Sequence, residues 1–322
     1  MIKNKKILVT GGGGFIGSHL AKLLKSNGNF VRVADIKWDD YMKEKYYSEK
    51  MTADLREKKN CLKATKGMDF VFNLAANMGG IGFIEEVAAE VMHDNVLINT
   101  HMLQSCVENK IKRMFYSSSA CIYPTYKQTK AAVVPLKEEH AYPADPDNFY
   151  GWEKLFVEKE CEAYQRDYGL CVRVARFHNI YGPEGTYKGG REKSPAAICR
   201  KVAFAKNPGT IEIWGDGKQT RSYCYIDDCV RGIIMLTESD YEKPINIGSD
   251  RGISINDMVD IVAGFEGKKL KRKHDLTAAQ GVRGRNADLT LVKKVLGWKP
   301  EISLEDGLRQ VYFWIKKMEG LK

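Results

Sequence analysis

Short apolar runs alternate along this chain with longer stretches in which apolar residues recur every three to four positions. Lys6–Thr10, Val31–Asp35, Phe70–Leu74 and Arg113–Ser117 are rich in β-branched or aromatic residues, and Cys171–Ala175 closes the series. Between them, His19–Leu24, Val87–Glu108 and Trp152–Tyr168 carry helical spacing. Strand–helix alternation predicts a parallel, doubly wound α/β sheet covered on both faces. After about Phe177 the texture changes. Loops at Gly182–Gly185 and Lys188–Arg191 are followed by short strands (Glu212–Trp214, Ile245–Ile247) and helices at Pro195–Ala205, Asp227–Thr237, Ile255–Phe265 and Leu304–Lys317. The expected division is one domain over 1–176 and a smaller mixed α/β domain over 177–322, with some segments of the second returning to the first sheet.

Charge narrows the classes of partner. The 322 residues carry 51 Lys and Arg against 41 Asp and Glu, a net charge of +10, with 43% apolar residues. That apolar content excludes a disordered chain. The basic surplus points to an anion: nucleic acid, a membrane surface or a phosphorylated small molecule. The dense run Lys268–Lys273 lacks interleaved aromatic residues and reads as a solvated face, so no nucleic-acid partner is expected. No apolar segment is long enough to span a bilayer, and the residues before the first glycine run are too short for a signal-peptide core. The eight cysteines are scattered without a CxxC pair, which reads as reduced thiols, no metal site and a cytoplasmic protein.

Two local patterns carry chemistry. Gly11, Gly14 and Gly17 lie between a predicted strand and a predicted helix. Glycines there allow a tight turn and close approach of a pyrophosphate to free helix N–H groups. Asp35 ends the next strand, where a carboxylate would bind ribose hydroxyls and repel a 2′-phosphate, favouring NAD over NADP. Asp54 is placed as an acceptor for the adenine edge. The second pattern is Tyr150-x-x-x-Lys154 at the start of a helix, where positions i and i+4 share a face. A tyrosine titrates near pH 10 unaided. A neighbouring lysine and the positive nicotinamide of NAD⁺ are expected to lower that value, so that Tyr150 can take a proton from an alcohol as hydride leaves.

With Asn73-Leu74-Ala75-Ala76 and Ser117-Ser118-Ser119, these patterns resemble the extended short-chain dehydrogenase/reductase superfamily over essentially the whole chain. The resemblance implies a Rossmann domain holding NAD through Phe15, Ile16, Leu55, Leu74, Ala75, Ala76 and Ser117 as well as the residues above. It also implies a nucleotide-sugar-binding C-terminal part, and a homodimer built from helices such as Val87–Glu108 and Trp152–Tyr168. Longer motifs are similar to the GDP-mannose 3,5-epimerase family: Met78–Phe83, Ser118–Pro124, Arg176–Pro183, Gly189–Lys193, Trp214–Ser222 and Gly281–Asn286. That family converts GDP-D-mannose to GDP-L-galactose, with some GDP-L-gulose, using NAD catalytically. The resemblance implies Cys121 and Lys193 as the acid–base pair and Ser119 as the partner of the reacting oxygen. It further implies Gly79, Ala120, Asn179, Glu192, Lys201, Gln219, Thr220, Arg221 and Arg285 as substrate contacts, while His178 reads as a structural residue.

The chain departs from the family pattern in three places. Gly17 stands where plant members commonly have Ala, Glu85–Glu90 differs, and the sequence stops at Lys322 where plant members continue. Related chemistries fit less well. A 4,6-dehydratase would carry Thr-Asp-Glu where Ser119-Ala120-Cys121 stands, a fucose synthase would need NADPH, and a plain 4-epimerase needs no Cys/Lys pair. An epimerase for another hexose and a non-catalytic NAD-binding regulator remain the alternatives.

Overall fold

The apolar runs become the centre of a seven-stranded, wholly parallel sheet in the computed structural model, which describes residues 2–38, 41–42, 44–132 and 134–321. The strands of the first half are β1 (Lys6–Thr10), β2 (Phe30–Asp35), β3 (Glu49–Thr52), β4 (Phe70–Asn73), β5 (Arg113–Ser119) and β6 (Val172–Phe177). Its helices are α1 (Phe15–Ser26), α2 (Lys58–Thr65), α3 (Ile81–Glu86), α4 (Ala88–Glu108) and α5 (Phe149–Tyr168). The second half adds β7 (Ile180–Tyr181), β8 (Gly209–Trp214), β9 (Thr220–Ser222), β10 (Cys224–Tyr225), β11 (Ile245–Ile247), β12 (Gly252–Ser254), β13 (Leu270–Asp275) and β14 (Gly284–Arg285). Its helices are α6 (Ser194–Phe204), α7 (Ile226–Glu238), α8 (Ile255–Gly264), α9 (Thr290–Leu296) and α10 (Leu304–Met318).

The sheet order is β11-β6-β5-β4-β1-β2-β3. Alternate residues feed two separate cores, as strand pleating requires. Ile7, Val9, Val31, Val33, Phe72 and Phe115 pack with α1 and α7 on one face. Leu8, Ala34, Val71, Met114, Tyr116 and Val172 pack with α2, α4 and α5 on the other. Edge strand β3, Glu-Lys-Met-Thr, is half exposed and has no apolar run to announce it.

Strand β11 comes from the second half and pairs with β6. Asn246 within it accepts from Tyr123 Oη at 2.6 Å and donates to the Leu136 carbonyl at 2.8 Å. A buried ion pair joins α5 to β6: Arg176 donates to both oxygens of Glu158, at 3.0 and 2.7 Å. The remaining strands form small sheets, β8 with β13, β7 with β10, and β12-β9-β14.

The basic run corrects one expectation. Lys268 is not a solvated charge: its Nζ donates to the carbonyls of Val202, Ala203 and Ala205 at 2.8, 3.0 and 3.1 Å. These carbonyls lie at the C-terminal end of α6, where a cation also meets the negative end of the helix dipole. Lys269, Lys271 and Lys273 are exposed, as expected of a solvated face.

Candidate active site

The C-terminal ends of β1, β4 and β5 open into a cleft of about 790 Å³. Its floor is the glycine turn. Gly11 has φ +65°, and a Cβ there would meet the Leu74 and Ala75 backbone at 2.9 Å. A Cβ at Gly17 would meet the Gly11 carbonyl carbon at 2.7 Å, so only glycine lets the helix start approach the turn this closely without a shift. Thr10 Oγ1 accepts from the Leu74 and Ala75 N–H groups and ties β1 to β4.

The residues present fit a dinucleotide. Helix α1 starts behind Gly14 with no side-chain cap and no acidic residue in its first turn, and a Cβ at Gly14 would meet only the Gly11 oxygen, at 3.4 Å. Its free N–H groups and dipole therefore face open cleft, the donor set a pyrophosphate needs. Asp35 lies further along, accepting from the Gly13 N–H at 2.9 Å and the Lys37 N–H at 3.1 Å. Asp54 is held by Arg56, which donates to both its oxygens and to Asp94 at 3.1 Å. That guanidinium keeps the Asp54 carboxyl below its usual range. Phe15, Ile16, Leu55, Leu74, Ala75, Ala76 and Ser117 all line the same cleft.

Ser119, Tyr150, Lys154, Lys193 and Gly79 also line it. Helix α5 begins at Phe149, three residues before the apolar spacing takes hold, because Asn148 accepts from the Gly151 N–H at 2.9 Å and caps it. Tyr150 is hydrogen-bonded to Ser119. Lys154 is buried; its Nζ donates to the Ser117 carbonyl at 3.1 Å and lies 5.5 Å from the Tyr150 ring centre. The expected lowering of the tyrosine is absent in the chain alone. Burial, then the Glu153 carboxyl and the Cys121 thiol, push Tyr150 well above its usual value, and only the Ser119 hydrogen bond opposes them. Burial likewise pushes the Lys154 ammonium down, against the opposing pull of Glu153.

Cys121 sits in a short 3-10 turn, Ala120–Ile122, that follows β5, and Ala120 beside it is buried. Its sulfur receives a hydrogen bond from Arg285 Nη1 at 3.1 Å. Cys121, Met78, Ile81, Phe83 and Val87 surround the buried Tyr150, Ile84 and Val91, giving this end of the cleft an apolar wall. Lys193 stands at the N-terminal boundary of α6, where burial pushes its ammonium down and Cys121 pulls it back.

Other expected substrate contacts are committed locally. Lys201 donates to the Glu212 carbonyl at 2.8 Å and Thr220 to Ala131 at 2.5 Å. Glu192 accepts from Arg200 at 3.0 Å and from the Gly190 N–H at 2.7 Å. Asn179, at φ +48°, donates to Ser222 at 3.0 Å. Gln219 donates to Trp214 at 3.0 Å, leaving its buried Oε1 without a partner. His178 is fully buried on Asn246 and held down to about 3, a structural histidine. Asp147, Gln128 and Glu153, which sequence reasoning missed, surround these groups. No local pattern marks them, because Asp147 meets Arg285 across 138 positions and Gln128 meets it across 157.

Comparison with known proteins agrees with the fold. The model of the NAD dependent epimerase/dehydratase family matches residues 7–248. The GDP-mannose 3,5-epimerase of Arabidopsis thaliana is 50% identical over 316 residues, covering 98% of this chain and 83% of that protein. Among solved structures, the UDP-glucose 4-epimerase of Thermotoga maritima superposes with a TM-score of 0.86 at 26% identity, covering 99% of this chain and all of that one. MoeE5, solved with UDP-glucuronic acid and NAD, gives 0.83 at 27% identity, covering 97% of this chain and 99% of its own.

Proposed function

The chain belongs to the NAD dependent epimerase/dehydratase family, and from that premise we propose that it epimerises GDP-D-mannose at C3 and C5, giving GDP-L-galactose and some GDP-L-gulose. The single observation that carries the reading is Cys121, a thiol under a guanidinium beside Tyr150, in a chain half identical to a plant GDP-mannose 3,5-epimerase. A 4-epimerase has no use for such a thiol.

Gly14 and the start of α1 hold the cofactor's pyrophosphate, and Asp35 its ribose. Bound NAD⁺ supplies a hydride acceptor for C4 and a positive charge that favours the Tyr150 phenolate. Tyr150 takes the C4 hydroxyl proton, Ser119 holds the oxygen, and Lys154 balances the phenolate. With C4 a ketone, the hydrogens on C3 and C5 become acidic, because the carbanion is delocalised as an enolate. Cys121 and Lys193 then remove and return protons at these carbons. Tyr150 gives its proton back to the C4 oxygen on re-reduction, so the cycle has no net redox change. The apolar wall of Met78, Ile81, Phe83 and Val87 keeps water from the enolate.

We read residues 1–176, with β11 and α7, as the cofactor half, and the rest of 177–322 as the nucleotide-sugar half. Phe149, Trp152 and Phe156 form an exposed stripe along α5 at helical spacing, which fits a homodimer face. Eight free cysteines suit the cytoplasm. No described helix is long and apolar enough to cross a membrane.

Incubation with GDP-mannose and NAD in D₂O, read by NMR, tests the function. Deuterium should enter C3 and C5 and new hexoses should appear. Retention of both hydrogens by enzyme that still oxidises C4 refutes the epimerase reading. Tyr150→Phe should abolish every step, whereas Cys121→Ala and Lys193→Ala should spare C4 oxidation.

A further inference from the structure

Behind the Tyr150–Lys154 pair lies a carboxylate that the reaction drawn above does not use. Glu153 follows Tyr150 by one turn of α5, and its side chain is fully buried. Its Oε1 accepts from Asn95 Nδ2 on α4 at 2.9 Å and lies 4.0 Å from Lys154 Nζ. Lys154 sits between two rings, 5.1 Å from the Tyr116 centre and 5.5 Å from that of Tyr150. Tyr150 and Lys154 line the cleft, whereas Glu153 stands behind them, outside its lining.

Glu153 is poorly explained as a stabilising group. Burying an ion pair gains little stability, and its second oxygen, Oε2, is buried with no partner. Burial pushes the Glu153 carboxyl up, while Lys154 and the Asn95 hydrogen bond pull it back toward the charged form. Its charge falls on Tyr150. After burial, Glu153 leads the groups that hold the phenol protonated, ahead of the Cys121 thiol, and the Ser119 hydrogen bond opposes them. The other titratable groups that act on Lys154 and Tyr116 are Glu158 and Cys161, both on α5, and α4 contributes the neutral amide of Asn95.

The chemistry gives such a charge a use. Hydride leaves C4 for the nicotinamide as the hydroxyl proton passes to the Tyr150 phenolate, which leaves a ketone and a neutral phenol. Re-reduction returns both. Inversion of D-mannose at C5 alone gives L-gulose, and inversion at C3 as well gives L-galactose. A phenol that surrenders its proton early ends the ketone before the second inversion. Glu153 lies behind Tyr150 and away from the cleft, so its charge weighs more on the phenol than on the cofactor.

We propose that Glu153 is a positioning residue that acts through its charge, keeping the proton on Tyr150 while C4 is a ketone and so giving time for the second inversion. The sugar arm of its test rests on the GDP-mannose reading above; the tyrosine arm does not.

Glu153→Gln is isosteric, uncharged and still able to accept from Asn95. In the NAD⁺ complex without sugar, tyrosinate absorbance referenced to Tyr150→Phe should show Tyr150 titrating about one pH unit lower than in wild type. With GDP-mannose, the fraction of cofactor held reduced, read by its absorbance, should fall about fivefold, and the ratio of GDP-L-gulose to GDP-L-galactose should rise about twofold or more. Glu153→Leu, uncharged but different in shape, should match Glu153→Gln. Glu153→Asp, which keeps the charge, should stay near wild type in all three readouts. A folded Glu153→Gln variant whose Tyr150 titrates as in wild type overturns the proposal, because a glutamate already neutral behaves as glutamine does. An unchanged reduced fraction and product ratio also overturn it, as does Glu153→Asp behaving like Glu153→Gln. If wild type forms no ketone from GDP-mannose, the GDP-mannose reading falls instead, and the tyrosine titration alone decides the role of Glu153.

Discussion

Gly151→Ala isolates the seat of Cys121 from the rest of the site. Gly151 lies in the first turn of α5, and a Cβ there would come within 2.9 Å of both the Cys121 carbonyl carbon and Pro146 Cβ, and closer still to the Cys121 oxygen. Two effects oppose each other. Alanine favours a helix interior over glycine by about 1 kcal/mol. Overpacking against backbone costs about 1–3 kcal/mol, so the net loss of stability is about 2 kcal/mol at most. The clash must be relieved by movement of about 1 Å, and the three-residue turn Ala120–Ile122 yields before a 20-residue helix does. A misplacement of that size can cost about 100-fold in rate. The variant should therefore melt only a few degrees lower and still oxidise C4 through Tyr150, yet lose about 100-fold in deuterium entry at C3 and C5. Wild-type exchange in this variant, or exchange and C4 oxidation falling in step, would refute the reasoning.

Acid should weaken the fold through two histidines. His19, on the Pro183 carbonyl at 3.2 Å, is held down to about 4 by burial, and His178 to about 3. The unfolded chain takes up these protons below about pH 6.5 and the folded chain refuses them, so their stabilisation is full above pH 6.5 and drains as pH falls, by about 2 kcal/mol each at pH 5. Denaturant midpoints should track this, and His178→Gln should flatten the curve; an equal slope in that variant contradicts the assignment. Lys268→Ala should cost about 1 kcal/mol in chemical denaturation, whereas Lys271→Ala and Lys273→Ala should lie within about 0.5 kcal/mol of wild type. Equal effects at all three would remove Lys268 from its helix-capping role. Phe156→Lys on the exposed stripe of α5 should yield monomers by sedimentation without loss of NAD binding; an unchanged dimer would place the interface elsewhere.

Much of this layout was legible because its signals are local. β1, β2, β4, β5 and β6 announce themselves as apolar runs, and the glycine turn with Asp35 lies within 25 positions, all read within one strand–turn–helix unit. β3 escaped because an edge strand buried on neither face needs no apolar run. Asp147 and Gln128 escaped for a different reason: they are set by where distant parts of the chain meet, not by any period along it. For the tyrosine, i and i+4 spacing brings Lys154 near the ring but says nothing of the desolvation and the buried Glu153 that act beside it in the chain alone. Lys268 was misread because a charge run describes head groups, whereas a lysine stem can carry its head to a helix end.

Strand β11 matters for anyone recombining such enzymes. It arrives from residue 245 to edge a sheet that begins at residue 6, and the bonds that brace that seam include Arg173 to the Ser239 carbonyl at 2.9 Å, Arg113 to Thr237 at 2.5 Å and Tyr123 to Asn246 at 2.6 Å. A chimaera joined at residue 177 would lay a stranger's last strand against these partners. The halves are threaded through each other and cannot be traded as cassettes. New sugars are better sought by rewriting loops such as 79–87 or 182–193, which leave that seam intact.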